Sequence, residues 1–250
     1  MIQSKKLILL LLPLWLILAC FGLQAQNSSP YELSLGKEAA LYGGGGLFGL
    51  VYLQLNKKNT GLTERQIDLL NRKNIPGFDR NASYNWSFTA GHNSDLLLYS
   101  AGIAPVLMLL DKKVRDDAAN YGVLASQVYL INFALTSVTK AIALRTRPFA
   151  YNPTVPLEKK LKQDARYSFY SGHTSTAAAH FFFIAQTYAD YHPDSKFKPF
   201  MWGICATLPA TMGLLRYKAG KHFLSDVIVG YIAGAAVGLL VPRLHRKKSP

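Results

Sequence analysis

Long uncharged stretches alternate with short charged ones along the chain beyond residue 30. A helix needs about 20 mostly apolar residues to cross the hydrocarbon core of a bilayer. Two of the stretches exceed that length, and the other four reach it only if amphipathic flanks extend them. The stretches occupy residues 39–56, 96–110, 118–139, 167–189, 199–215 and 227–242. This pattern predicts an all-α fold, a six-helix transmembrane bundle. Buried helices of a large soluble α-protein are the alternative, but six such runs recur in one small chain.

The N-terminus carries a further apolar run. Two lysines precede an uncharged segment over residues 7–23, and a small residue, Ala25, follows it. A positive start, an apolar middle and a small residue at the cleavage point are typical of a secretory signal peptide. The sequence thus predicts a signal peptide at residues 1–25, with an uncleaved N-terminal anchor or a lipoprotein processing site at Cys20 as alternatives. Each of the three directs the chain into a membrane export route.

Composition narrows the class of protein. The chain has 250 residues, of which 50% are hydrophobic, and a formal net charge of +14. Its many apolar residues exclude a disordered chain, and two cysteines exclude a disulfide-stapled mini-protein. We expect one membrane domain at residues 37–243, with a motif-bearing core at 95–242. A basic tail at 244–250 is expected to lie along anionic headgroups.

Basic residues close the third apolar stretch. Lys140 and Arg147 are seven residues apart, which is two turns of a helix, so both side chains are expected on one helical face. Pro148 is expected to end that helix. Two cations at a helix end form a candidate anion clamp, in which arginine offers a planar fork to phosphate oxygens. The alternative is ordinary snorkelling of basic side chains at a membrane interface.

A serine, a glycine and a histidine open the fourth stretch at Ser171, Gly172 and His173. Serine is a preferred helix N-cap, and glycine lets the backbone approach a ligand closely. The free amides and the dipole of a helix N-terminus bind anions, and His173 would stand beside such an anion to transfer a proton. A plain capping serine beside an interfacial histidine is the alternative.

An arginine, a histidine and an aspartate surround the start of the sixth stretch, at Arg216, His222 and Asp226. His222 and Asp226 are four residues apart, so we expect them on one helical face and within reach of each other. A carboxylate that holds one imidazole nitrogen leaves the other free and basic, as in a catalytic triad. An ionisable residue at the edge of an uncharged helix indicates function; a structural His–Asp pair is the alternative.

Together the three motifs describe a phosphoryl site. They supply three cations, two histidines, one carboxylate and a helix start, a set suited to a nucleophile and a proton donor around an anion. The sequence has no cysteine–histidine metal spacing, no phosphate-binding loop and no serine nucleophile elbow. We therefore expect a metal-free mechanism through a phosphohistidine, with no metal ligand and no cofactor.

The order and internal spacing of the motifs resemble the three-part signature of the type 2 phosphatidic acid phosphatase (PAP2) superfamily. The motifs are Lys140-x6-Arg147-Pro148, Ser171-Gly172-His173 and Arg216-x5-His222-x3-Asp226. The resemblance covers about residues 95–242. Two positions depart from the family pattern: Tyr170 stands where proline is usual, and Leu215 where serine is usual. Neither change removes a group that should do chemistry, but the resemblance leaves open whether they reshape the phosphate-binding site.

The resemblance implies a six-helix bundle of the PAP2/haloperoxidase-like type with its site at the membrane surface. It also implies roles for three residues. His222 would attack phosphorus, Asp226 would orient the His222 imidazole, and His173 would protonate the leaving oxygen. A water would later release phosphate from His222. The other residues would neutralise or hydrogen-bond the phosphate oxygens. They are Lys140, Arg147, Ser171, Gly172 and Arg216.

The implied function is that of an integral-membrane phosphatase that hydrolyses a lipid phosphate or diphosphate monoester. Its partner is a membrane lipid, and neither nucleic acid nor a partner protein is expected. We expect a multi-pass protein of the inner (cytoplasmic) membrane. Loop charges do not settle the sidedness, and the resemblance places the site outside the cytoplasm. Two alternatives stay open: a vanadate-dependent haloperoxidase-like enzyme and a non-catalytic phospholipid-binding membrane protein.

Overall fold

Six long helices make up most of the structure, a computed structural model that describes residues 29–57 and 59–247. The described residues contain no β-strand, only an isolated antiparallel bridge between Tyr31 and Arg246. The long helices are α1 (Leu35–Lys57), α2 (Phe88–Leu107), α3 (Ala118–Ala143), α4 (Gly172–Tyr191), α5 (Lys198–Lys218) and α6 (Leu224–His245). Each overlaps one predicted stretch, so the all-α, six-helix prediction is confirmed. The predicted signal peptide at residues 1–25 lies outside the described residues.

Short helices shape the connections between the long ones. The short α-helices are Glu64–Asp68, Gly77–Arg80, Lys112–Asp116 and Leu157–Lys160, and the 3-10 helices are Arg72–Asn74, Asn81–Tyr84, Met108–Leu110, Pro148–Tyr151 and Gln163–Arg166. A buried cluster of Ile75, Ala82 and Phe223 joins the α1–α2 connection to the start of α6. The Phe149 amide donates to the Gly220 carbonyl at 2.9 Å and joins the α3–α4 connection to the same place. Both connections therefore cover one end of the bundle.

Helix α4 lies at the centre of the bundle, in contact with α2, α3, α5 and α6. Small side chains permit this close packing, since Ala177, Ala178 and Ala179 are fully buried. One apolar cluster joins α4 to α3 and α6, and a second joins it to α2 and α5. Burial of apolar surface on both sides thus fixes α4, and with it the residues at its N-terminus.

Glycines bring the backbones of α4 and α6 into direct contact. Gly230, Gly234 and Gly238 recur every four residues on the face of α6 that is turned to α4. A β-carbon built on Gly234 would lie only 2.1 Å from the carbonyl oxygen of Ser175, far inside van der Waals contact. Small residues permit such close helix crossings in membrane proteins. This contact sets the distance between the start of α4 and the start of α6.

The outer surface of the bundle is apolar. Exposed large apolar side chains include Leu50 on α1, Leu96 on α2 and Ile232 on α6. Among the described residues, three segments are long and apolar enough to cross a membrane: Phe88–Leu110, Ala118–Tyr151 and Leu224–His245. Because an extended apolar surface fits lipid and not water, the chain is a membrane protein.

Candidate active site

The three motifs meet at the end of the bundle where α3 ends and α4 and α6 begin. The Ser171 amide donates to the Asp226 carbonyl at 3.0 Å, which ties the start of α4 to the start of α6. Arg147 Nη1 lies 3.2 Å from His222 Nε2, which ties the first motif to the third. Residues of all three motifs therefore form one polar cluster at the end of an apolar bundle.

The first motif reaches this cluster by a route that differs from the prediction. Helix α3 ends at Ala143, and Leu144 adopts a left-handed conformation with a φ of 43°. Arg147 follows in an extended conformation and is the N-cap of the 3-10 helix Pro148–Tyr151. The prediction that Arg147 shares a helical face with Lys140 is therefore wrong, because the helix ends before Arg147. Both cations still lie in the cluster, since Lys140 Nζ approaches Tyr167 just before α4 and Arg147 approaches His222.

Arg147 is buried, and its guanidinium is held on two sides. Nε and Nη2 donate to the backbone and side-chain oxygens of Asp164, both at 2.8 Å, and Nη1 donates to the Lys221 carbonyl at 3.0 Å. Burial alone would raise the pKa of the Asp164 carboxyl, but the charges of Arg147 and Lys221 hold it below its usual range. The charged carboxylate thereby fixes the fork that faces His222.

His222 is buried in the connection between α5 and α6. Its Nδ1 lies 2.7 Å from the Ser168 carbonyl oxygen, and because a carbonyl only accepts, Nδ1 carries the proton. Nε2 therefore keeps its lone pair, and it faces Arg147. Burial, together with the charges of Arg147 and Lys140, holds the pKa of His222 well below its usual range. A neutral imidazole with an oriented free nitrogen is suited to nucleophilic attack.

Asp226 supports His222 through neighbouring groups and not by a direct hydrogen bond. His222 precedes the first residue of α6, so the expected shared helical face does not form, and Asp226 Oδ2 lies 3.7 Å from His222 Nδ1. Oδ2 accepts instead from the Ser168 hydroxyl at 2.5 Å and from the Phe223 amide at 2.9 Å. The carboxylate thus holds Ser168, whose carbonyl orients the imidazole ring, and Phe223, which follows His222.

The start of α4 and the last turn of α3 form a second wall of the site. Ser171 is the N-cap of α4, as predicted, and its Oγ accepts from the Thr174 amide at 3.4 Å. Lys140 Nζ lies 3.4 Å from the Tyr167 carbonyl, and a β-carbon on Gly172 would lie 3.4 Å from the same Nζ. Since the first amides of a helix lack partners within the helix, free donors and an ammonium group converge here, as in an anion site.

A carboxylate outside the three motifs joins His173 to Arg216. Asp95 Oδ1 lies 2.8 Å from His173 Nε2 and 3.5 Å from Arg216 Nη1. Arg216 is buried, and its Nη1 also donates to the Ser94 hydroxyl at 3.1 Å. Its Nε is buried with no hydrogen-bond partner among the described atoms. A buried donor without a partner is costly, so an anion that reached this nitrogen would be stabilised.

Two carboxylates that pair with site residues, Asp95 and Asp164, are missing from the sequence prediction. Asp95 is the one acidic residue in the sequence of α2, and an ionisable residue within an apolar helix is itself a signal of function. Asp164 lies in the polar connection between α3 and α4, where charged residues are common and no comparable signal exists.

Comparison with known proteins agrees with the motifs. The family model of the PAP2 superfamily matches residues 121–250, which contain all three motifs and more than half of the chain. A crystal structure of a transmembrane PAP2-type phosphatidylglycerolphosphate phosphatase from Bacillus subtilis is similar over 98% of this chain and 96% of that chain, with 21% sequence identity and a TM-score of 0.47. No curated protein matches the chain. On the strength of the family match, the chain belongs to the PAP2 superfamily.

Proposed function

We propose that this chain hydrolyses a phosphate or diphosphate monoester of a membrane lipid. The observation that carries the proposal is the buried, neutral His222, whose free Nε2 faces the Arg147 fork at the end of an apolar bundle. That pair puts a nucleophile beside a phosphate-binding group. Membership of the PAP2 superfamily and the apolar outer surface support a lipid substrate, whose tail would stay in the bilayer while its phosphate enters the site.

In the proposed reaction, Nε2 of His222 attacks phosphorus, and the bond between phosphorus and the leaving oxygen breaks. His173 donates a proton to that oxygen, so the lipid alcohol, or the lipid monophosphate from a diphosphate, departs. Water then attacks the phosphohistidine while His173 accepts a proton from it, and inorganic phosphate leaves. His222 Nδ1 keeps its proton and its hydrogen bond to Ser168 throughout, which stabilises the positive charge that the ring gains.

Charge neutralisation in this proposal comes from the protein. Lys140, Arg147 and Arg216 would contact the equatorial oxygens of the transferred phosphoryl group, where the negative charge is spread, and the first amides of α4 would add hydrogen bonds. Three cations supply the charge that metal ions supply in other phosphatases. Metal independence is therefore part of the proposal.

We place the protein in the inner (cytoplasmic) membrane, with the site outside the cytoplasm. This sidedness rests on the family resemblance, because basic residues occur at both ends of the bundle and the charge rule does not decide. The site lies at the end where α6 begins, so the C-terminal end of α6 would be cytoplasmic. A reporter fused after Lys247 that is active outside the cytoplasm would contradict this assignment.

Phosphate release by the detergent-purified protein tests the proposed function. We expect release of inorganic phosphate from at least one of phosphatidate, phosphatidylglycerol phosphate and a polyprenyl diphosphate, at a rate that EDTA leaves unchanged. Activity that appears only after a divalent metal is added would contradict the metal-independent mechanism. Absence of release from every lipid phosphate would contradict the phosphatase itself.

The contact between Asp95 and His173 yields a prediction about the leaving group. Asp95→Asn is expected to lower hydrolysis of a lipid phosphate about tenfold or more, because the carboxylate holds His173 in place as proton donor. Hydrolysis of p-nitrophenyl phosphate should fall much less, since nitrophenolate leaves without a proton. Asp116→Asn is the matched control, because this carboxylate pairs with Lys112 between α2 and α3, at the other end of the bundle. Equal losses on both substrates would show that Asp95 does not act through His173.

A further inference from the structure

Asp79 is a buried carboxylate that lies far from the three motifs in sequence and next to them in space. It belongs to the short helix Gly77–Arg80, in the connection between α1 and α2 and before the part of the chain that the family model matches. Its side chain is 5% exposed, and both oxygens are engaged. Oδ1 accepts from the Ser225 amide at 3.0 Å, and Oδ2 accepts from the Ser225 hydroxyl at 2.6 Å and from Arg145 Nη2 at 2.7 Å.

Arg145 links this carboxylate to Asp226. Its Nη1 donates to Asp226 Oδ1 at 2.6 Å and to the Ser225 hydroxyl at 2.8 Å, while its Nη2 donates to Asp79. The central carbon of the guanidinium lies 4.2 Å from the centre of the Phe223 ring, so the group also stacks on the residue that follows His222. The guanidinium is therefore held between two buried carboxylates and an aromatic face.

The contacts continue from Asp226 to His222. Asp226 Oδ2 accepts from the Ser168 hydroxyl and the Phe223 amide, and the Ser168 carbonyl accepts from His222 Nδ1. Every link is a hydrogen bond between buried or half-buried groups, and such groups keep their geometry because leaving one unpaired is costly. The path from Asp79 to His222 is thus contiguous.

We infer that Asp79 and Arg145 are positioning residues for His222. They hold Asp226 and the first turn of α6, which in turn hold the imidazole with Nε2 facing Arg147. Misplacement of a reacting group by about 1 Å can cost about a hundredfold in rate. Residues three and four hydrogen bonds away from the ring therefore affect catalysis without touching substrate. This inference rests on the proposed role of His222 as nucleophile.

Asp79→Ala, Arg145→Met and the double variant test this inference, with phosphate release from the best lipid phosphate as the readout. We expect each single change to lower kcat by about tenfold to a hundredfold and to leave KM within about twofold, because binding of the phosphate uses other residues. The double variant should be no slower than the slower single variant, since both residues act through one path.

Asp190→Ala is the matched control. Its carboxylate is 1% exposed and pairs with Arg246 at the opposite end of the bundle, where Tyr31 and Gln186 also donate to it. This change removes a buried, paired carboxylate of the same kind, so it should lower the thermal midpoint and leave kcat within about twofold of the wild type. Asp79→Asn replaces Asp79→Ala in these measurements if Asp79→Ala does not fold. The side-chain oxygen of asparagine still accepts from the Ser225 backbone N–H, while the negative charge facing Arg145 is lost.

A second readout separates this inference from the proposed function. Reaction of His222 with diethyl pyrocarbonate, followed by mass spectrometry, needs no activity; it should be faster in Asp79→Ala than in the wild type and unchanged in Asp190→Ala. If the wild type releases no phosphate, the proposed function fails, and this comparison still decides the positioning role. Wild-type kcat in Asp79→Ala, additive losses in the double variant, or unchanged reactivity of His222 would each overturn the inference.

Discussion

Replacement of His222 by alanine is expected to lower phosphate release from lipid phosphates by about 10⁴-fold or more. The imidazole is the one group in the site that is oriented, neutral and free to form a bond to phosphorus, since Nδ1 is bound to Ser168 and Nε2 faces Arg147. The remaining cations and amides would still bind a phosphate but could not divide the reaction into two steps. Binding of inorganic phosphate by His222→Ala, measured beside the rate, would show that the cradle persists.

His192→Ala is the matched control for this prediction. His192 Nε2 lies 2.9 Å from Asp111 Oδ2 at the opposite end of the bundle, so the change removes a His–Asp pair away from the site. Its activity should remain near that of the wild type. Labelled substrate quenched in alkali should leave phosphate on the wild-type chain and none on His222→Ala. Activity in His222→Ala within about tenfold of the wild type would exclude His222 as the nucleophile.

Local sequence signals account for the helices and for most residues of the candidate site. An uncharged apolar stretch predicts each long helix, because a bilayer requires an apolar composition along a span. Ser171 before Gly172 predicts the start of α4, because capping is a contact between near neighbours in sequence. These features depend on spacing over a few residues, and the structure confirms them.

The same spacing misleads where a helix ends early. Lys140 and Arg147 are two helical turns apart in sequence, yet α3 ends at Ala143, so Arg147 enters the cluster from a loop and not from the helix that carries Lys140. His222 and Asp226 are four residues apart, yet α6 begins at Leu224, so a backbone carbonyl and not the carboxylate accepts from Nδ1. In both pairs the two residues lie in the candidate site, but the shared helical face that the sequence predicts for them does not form.

Long-range contacts lie beyond what one sequence shows. Asp95 and Asp164 pair with a histidine and an arginine of the site, and Asp79 pairs with Arg145 behind it. The fold supplies each of the three from a different connection or helix. The spacing of residues along the chain does not show which loop packs over which helix end. The glycines of α6 combine a local and a long-range feature. Their four-residue spacing is visible in the sequence, but the sequence does not show which helix they contact.

Replacement of one of those glycines by alanine is expected to lower both the stability and the activity of the protein. Gly234→Ala adds one β-carbon, which would lie 2.1 Å from the Ser175 carbonyl oxygen, and backbone cannot move aside as a flexible side chain can. We expect a loss of about 1–3 kcal/mol in stability from this overpacking, measured as a lower thermal midpoint in detergent. Phosphate release should fall as well, because Ser175 lies one turn after Ser171 and two residues after His173, so a shift of α4 moves both residues relative to His222.

Gly44→Ala is the matched control for Gly234→Ala. A β-carbon on Gly44, in α1, would have no atom within 4 Å, so the same chemical change meets open space. Alanine favours a helix over glycine by about 1 kcal/mol, so the thermal midpoint of Gly44→Ala should equal or exceed that of the wild type, with activity unchanged. A Gly234→Ala protein that keeps both wild-type stability and wild-type activity would show that α4 and α6 are farther apart than the structure has them, and that their contact does not set the geometry between His173 and His222.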